Sequence, residues 1–220
     1  MPIHKLCADR LRDSYRALTG NKLGAGHAHE ITAAYFGYVT AAALRTEAQY
    51  PLSELSQADI LIPDIARMDV RRSQLTGLPQ DLPSSRELAS DISTLLKEIG
   101  NFSGQIWDAE YLSDDINGFV QNDPMLIEGD LSGDIAQTNA SFDELYLDEV
   151  EVETNDDGLV ATIEGSLNGE QDQDRVFHGD KIKFTSIMTM DRVAGRVAYT
   201  SPEFETTGGV DDSMYYDADT

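Results

Sequence analysis

Glu149, Glu151 and Glu153 stand at every second position of a stretch in which Tyr146, Asp148, Val150 and Val152 fill the alternate places. Read as a β-strand, with side chains alternating between faces and a rise of about 3.3 Å per residue, this spacing sets three carboxylates in a row about 6.6 Å apart. A regular row of fixed negative charge is chemistry for holding a cationic surface. It imitates the anionic edge of a nucleic acid and suits a protein groove built for phosphates. Asp143, Glu144, Asp156 and Asp157 extend the row along the chain, and Asp108, Glu110, Asp114 and Asp115 add a flanking patch on a predicted helix over 108–120. A solvated outer sheet face is the rival reading, but such a face ordinarily mixes both signs of charge.

The surroundings of the row do not mix them. From Glu98 to Asp174 the chain runs 77 residues with 21 Asp and Glu and no Lys, Arg or His, whereas the first 97 residues hold 11 acidic and 11 basic side chains. Nearly all of the net charge of -24 therefore sits in one block. Two unit charges about 7 Å apart repel by roughly 0.6 kcal/mol in water, so such a block strains its own compact state. The neutral first 97 residues argue against adaptation to a salt-loving host, which places acid over the whole surface. A pI near 4.2 argues against direct binding of DNA, RNA or an anionic membrane, all of which require Lys and Arg. The partner this charge implies is a basic surface or a cation.

Other constellations are less complete. Asn168, Glu170, Asp172 and Asp174 put oxygen ligands at alternate positions as in part of a calcium loop, and Asp130 with Asp134 offers a second pair. The sixth-position glycine is missing, and the twelfth position is Gly179 rather than Glu. His27, His29 and Glu30 invite a metal reading, but residues two apart on a helix point in different directions and nothing else completes a tetrahedron. The run His178 to Lys183, with Glu164 upstream, has the carboxylates and lysine of a metal-dependent nuclease without the electropositive path that DNA needs. No glycine-rich phosphate loop and no Ser-His-Asp spacing occurs. The lone Cys7 reads as a packing residue on a helix face. No catalytic residue, metal or cofactor is assigned.

The elements that must position the row fall into two halves. The amino-terminal half carries helical periodicity. Leu6, Leu11, Tyr15 and Leu18 form a stripe closed by Gly20, and a second helix covers 27–36. Gly37 to Val39 makes a tight connection, Thr40 caps a short helix over 41–49, and another short helix lies around 65–75. Ser84 with Glu87 forms a capping box before the stripe Leu88, Ile92, Leu95, Leu96 and Ile99. Further on, the period changes from helical to alternating. Strands are predicted over 146–153, 159–167, 181–190 and 193–200, with Asn155 to Gly158 supplying one turn and Asp191-Arg192 the other. The expected fold is α+β: a helical domain 1–125, a small antiparallel sheet of about four strands in 126–205, and a flexible acidic tail 206–220. No apolar run approaches 18 residues, and the start lacks the apolar stretch of a secretory signal, so a cytoplasmic protein is expected.

The stretch Lys22-Leu23-Gly24-Ala25-Gly26-His27-Ala28-His29-Glu30-Ile31-Thr32-Ala33-Ala34-Tyr35-Phe36-Gly37-Tyr38, with Ala41 to Leu44 after it, resembles a short helical module of bacterial plasmid, integrative-element and glyoxalase-related proteins. The likeness spans about 28 residues, with Gly26 where a capping Ser is expected. It implies a mobile-element context and carries no catalytic residue. Gly169 to Arg175, with Gly179 to Ile182, similarly looks like a small β module at the ends of bacterial proteins.

Together these features point to a non-catalytic acidic protein of a bacterium or mobile element, a nucleic-acid mimic that blocks a DNA- or RNA-binding protein as anti-restriction and anti-CRISPR inhibitors do. Its amino-terminal helices would form a homodimer contact or a dock. The alternative is a structural or regulatory subunit of a defence or plasmid system. Behind both stands a divalent-metal-binding protein or nuclease.

Overall fold

The computed structural model describes residues 1–138, 140–171 and 180–211. The chain forms two compact units, Met1–Asp108 with Asp191–Ser201, and Ala109–Met190 with Pro202–Thr220. Helices and strands make the fold α+β. The sheet is larger than the four antiparallel strands expected. Among the described residues seven strands form, and one pair of them is parallel, so the sheet is mixed.

The first unit is helical around one core. Helix α1 (Ile3–Thr19) buries Cys7, Ala8, Leu11 and Tyr15, and Gly20 ends it in the left-handed region at φ 76°. Leu18, expected in the buried stripe, lies in the last turn of the helix and is 71% exposed. Helix α2 (Ala25–Tyr35) lies at the centre, with Ile31, Ala33, Ala34 and Tyr35 fully buried. Gly37 turns the chain at φ 83°, where an added Cβ would stand 2.7 Å from that of Arg196. The Thr40 hydroxyl then accepts from the Ala43 N–H at the start of α3 (Ala41–Thr46). A 3-10 turn (Leu52–Gln57) leads into the short strand β1 (Ile60–Leu61). Asp64 caps α4 (Ile65–Gln74), and Ser84 with Glu87 closes the expected capping box on α5 (Ser85–Glu98). Strand β2 (Gln105–Ile106) pairs parallel with β1.

The second unit holds the acidic block. Helices α6 (Leu112–Asn122), α7 (Met125–Glu128) and α8 (Ser132–Gln137) precede the long strands β3 (Ala140–Thr154) and β4 (Gly158–Gln171). Strand β5 (Lys181–Ala194) follows. Its last residues pair with β6 (Ala198–Tyr199), and β6 also pairs with β1, which is why Asp191–Ser201 belongs to the first unit. The turn falls at Gly195, φ 58°, and not at Asp191-Arg192, which lie within β5. A linear boundary at 125/126 misses this return of the chain, and it places α7 and α8 among strands.

A second departure concerns the tail. Residues Glu203–Val210 form β7, antiparallel to β5 from Ile182↔Val210 to Thr189↔Glu203, so the segment expected to be flexible from Thr206 begins inside a strand. Its glycines disguised it. An added Cβ on Gly208 would lie 2.6 Å from the Lys183 carbonyl oxygen and 2.8 Å from Leu131, so this position takes glycine for packing. The strand order in the second unit is β3-β4-β5-β7. One face of these strands is buried: Leu159, Ala161 and Ile163 on β4, Phe184, Met188 and Met190 on β5. Phe204, opposite Met188, stacks on Phe119 of α6 with ring centroids 6.3 Å apart, so α6 covers this face.

Candidate acidic interaction surface

Strand β3 pairs antiparallel with β4 along its whole length, and two register shifts interrupt the pairing. Between Phe142 and Glu144, and again between Leu147 and Glu149, β3 carries one residue more than β4. The extra residues are Asp143 and Asp148. A bulge of this kind reverses which side chains face the core. Between the two bulges the odd residues turn inward, with Leu145 buried opposite Leu167. Beyond Asp148 the even residues do, with Val150 opposite the buried Ile163 and Val152 opposite Ala161. An unbroken alternation from Tyr146 would put Tyr146 on the valine side. Instead Tyr146 is 47% exposed and stands on the side of the glutamates.

Residues directly opposite in an antiparallel pair share a face, so the register fixes the composition of the open one. On β3 it carries Glu144, Tyr146, Glu149, Glu151 and Glu153; on β4 it carries Asn168, Ser166, Glu164, Thr162 and Val160, of which Ser166 is buried. Glu149, Glu151, Glu153 and Glu164 are all exposed. Glu149 stands directly across from Glu164, a like-charge pair that opposes folding. Among the described residues, no ion pair reaches any of these four glutamates. At the near end of the row, Tyr146 Oη donates to Glu144 Oε2 at 3.1 Å. That hydrogen bond and the charge of Glu144, with Asp143 close by, raise the Tyr146 phenol above its ordinary pKa. At the far end, Asn155 Oδ1 accepts from the N–H groups of Asp157 and Gly158, both at 2.8 Å, and holds the turn that presents Asp156 and Asp157.

The remaining expected residues do not join this face. Asp114 and Asp115 lie in the first turn of α6, where acid favours the positive end of the helix dipole, and α6 covers the opposite side of the sheet. Asp115 Oδ2 accepts from the Ala109 N–H at 2.9 Å, so it shapes the helix entry. Asp108 and Glu110 precede the helix rather than ride on it, and Asp108 belongs to the first unit, where its carbonyl accepts from Arg86. What the sequence joined into one patch is a strand row plus acids on other elements. Asp130 likewise ties backbone, accepting from the Thr206 N–H at 2.9 Å.

The negative face has a limit. Toward β5 an open depression of about 540 Å³ is lined by Asp148, Glu164, Lys183, Thr185 and Thr207. Lys183 Nζ lies 2.9 Å from Asp211 Oδ2, so positive charge enters here. This depression brings Glu164 and Lys183 together, two of the residues of the nuclease reading. Among the described residues, no group of three or more His, Cys, Asp or Glu could hold a metal ion. Asp172 and Asp174 of the calcium reading, and His178 and Gly179, lie outside the described residues.

Chemistry-bearing residues in the first unit tie the fold together. Glu30 accepts from Arg71 Nη2 at 2.8 Å and from the Ala41 N–H at 3.2 Å, and a ring nitrogen of His27 lies 3.1 Å from the Thr76 carbonyl oxygen. Burial pushes the Cys7 thiol up to about 12, far from a reactive thiolate.

Two features of the surface escaped the sequence reading although signals for them exist. The switch from Leu145 and Leu147 to Val150 and Val152 moves the apolar positions from odd to even, which requires one extra residue between them. Counting back from the turn at Thr154↔Leu159 places Glu164 across from Glu149. Comparison with protein-family models, curated proteins and solved structures finds no match to this chain.

Proposed function

We propose that this chain is a non-catalytic acidic interaction protein whose β3–β4 surface occupies the phosphate-binding groove of a basic DNA- or RNA-binding protein and blocks it, as anti-restriction and anti-CRISPR inhibitors do. The observation that carries the reading is the register of β3 on β4. It gathers Glu144, Glu149, Glu151, Glu153 and Glu164 on one open face, with two of them directly opposed and no described cation paired to the last four. Folding alone disfavours that arrangement.

Geometry narrows the form of mimicry. From Glu149 to Glu153 the row extends about 13 Å with successive carboxylates about 6.6 Å apart, and Glu144 stands about 13 Å or more before Glu149 with Tyr146 between them. One strand of duplex DNA carries a phosphate about every 3.4 Å along the axis, so the row has about half that density and resembles a stretch of a single strand more than a duplex. Glu164 and the turn residues Asp156 and Asp157 raise the local charge. In this reading the contact residues are Asp143, Glu144, Glu149, Glu151, Glu153, Asp156 and Asp157, joined by Glu164. Asp108, Glu110, Asp114 and Asp115 stand outside the main face, and the first unit serves as a dock or a homodimer contact.

The test is charge reversal. Glu149→Lys, Glu151→Lys and Glu153→Lys in one chain are expected to abolish capture of a basic partner from a native-host extract, and wild-type capture is expected to fade as salt rises. Far-ultraviolet circular dichroism shows whether the fold survives the change. Capture that is indifferent both to the reversal and to salt would overturn the proposal and favour the structural-subunit alternative.

A further inference from the structure

Strand β3 ends the strand order, and among the described residues no strand pairs its outer edge. An unpaired edge presents a line of backbone N–H and C=O groups that another extended chain can pair with. Part of this edge is already covered. Gln121 Nε2 of α6 donates to the Leu145 carbonyl at 2.8 Å, and the two bulges break the regular ladder as far as Asp148. From Glu149 to Thr154 the register runs without interruption.

This six-residue stretch has two unlike sides. One bears Glu149, Glu151 and Glu153; the other bears Val150, half-buried, and Val152, 36% exposed although it faces inward. Among the described residues no strand lies beyond the edge to cover this inward-facing valine. A second copy of this chain does not suit the place, since pairing β3 with β3 sets glutamates against glutamates. The complement is a strand that places cations beside the glutamates and apolar groups beside the valines.

We propose that the 149–154 edge of β3 binds by strand addition an extended segment of its partner in which basic and small apolar residues alternate, so that the partner lengthens the sheet. This rests on the acidic-surface reading above and adds a backbone component to it. Salt screens only the charge part of such a contact, and the backbone pairing gives it a register.

The probe is a short synthetic peptide of alternating lysine and valine, titrated into the intact chain by fluorescence anisotropy. Two companion peptides carry N-methyl groups on every second residue, one in each phase. Strand addition uses only alternate peptide N–H groups, so methylation in one phase is expected to lower affinity by about tenfold or more while the other phase is tolerated. Amide hydrogen exchange at residues 149–154 is expected to slow when the unmethylated peptide is added.

Equal binding of all three peptides overturns strand addition; if the triple Glu→Lys reversal then abolishes that binding, the acidic surface stands as a purely electrostatic contact. Absence of peptide binding overturns the proposal, as does protection of 149–154 that grows with protein concentration alone, which assigns the edge to a second copy. Binding unaffected by the triple reversal overturns the acidic-surface reading beneath it.

Discussion

Glu47 shows how a single carboxylate in this chain can be committed to structure. Burial pushes its pKa up, and donors outweigh that effect: Tyr38 Oη at 2.8 Å, with backbone N–H groups of Tyr50 and Gln49 on the other oxygen. The net result is a carboxyl that titrates below its usual range. A depressed carboxyl contributes stability in full above its unfolded pKa and loses it as pH falls through the folded value. Glu47→Gln is therefore expected to cost the first unit most near neutrality, with the difference from wild type shrinking on acidification. Urea midpoints of both proteins from neutral to acid pH measure this, and a constant gap would contradict it. Among the described residues Glu149, Glu151 and Glu153 have no such donors, which separates a structural acid from one presented to solvent.

At the scale of elements, local chemistry and tertiary pairing divided the work. The capping box of α5 is satisfied in both directions, with the Ser84 hydroxyl accepting from the Glu87 N–H and the Glu87 carboxylate accepting from the Ser84 N–H. Ser84→Ala leaves one end N–H of α5 without its partner and is expected to cost about 1 kcal/mol of unfolding free energy, read as a lower denaturant midpoint at unchanged slope. That signal was legible because a cap needs only four consecutive residues. Strand β7 was not legible. Its Gly208-Gly209 pair has weak strand propensity despite the threonines before it, and the run is held as a strand by pairing with β5. The extent of α6 was blurred for a related reason. Asp108 and Glu110 share its acidic character, yet the helix starts at Leu112.

For the whole molecule, a net charge of -24 gathered mainly between Glu98 and Asp174 makes self-repulsion a property of the folded state. Salt screens exposed charges over about 10 Å at 0.1 M, so added sodium chloride is expected to raise the thermal midpoint from low ionic strength upward. Differential scanning calorimetry across a salt series measures it, and a midpoint that falls with salt would mean that attractive pairs outweigh repulsion. Sequence by itself determined the α+β class, the caps at Thr40 and Ser84, the glycine stop at Gly20, the turn at Asn155 to Gly158 and the location of the acidic block, since each depends on composition or on residues a few positions apart. Only the tertiary structure decided that the acids of 108–115 lie off the β3 row, that Asp143 is a bulge, that Asp191–Ser201 returns to the first unit and that β3 is an edge among the described residues. Those outcomes depend on pairing between segments distant in the chain, and neither spacing nor propensity within one segment carries that information.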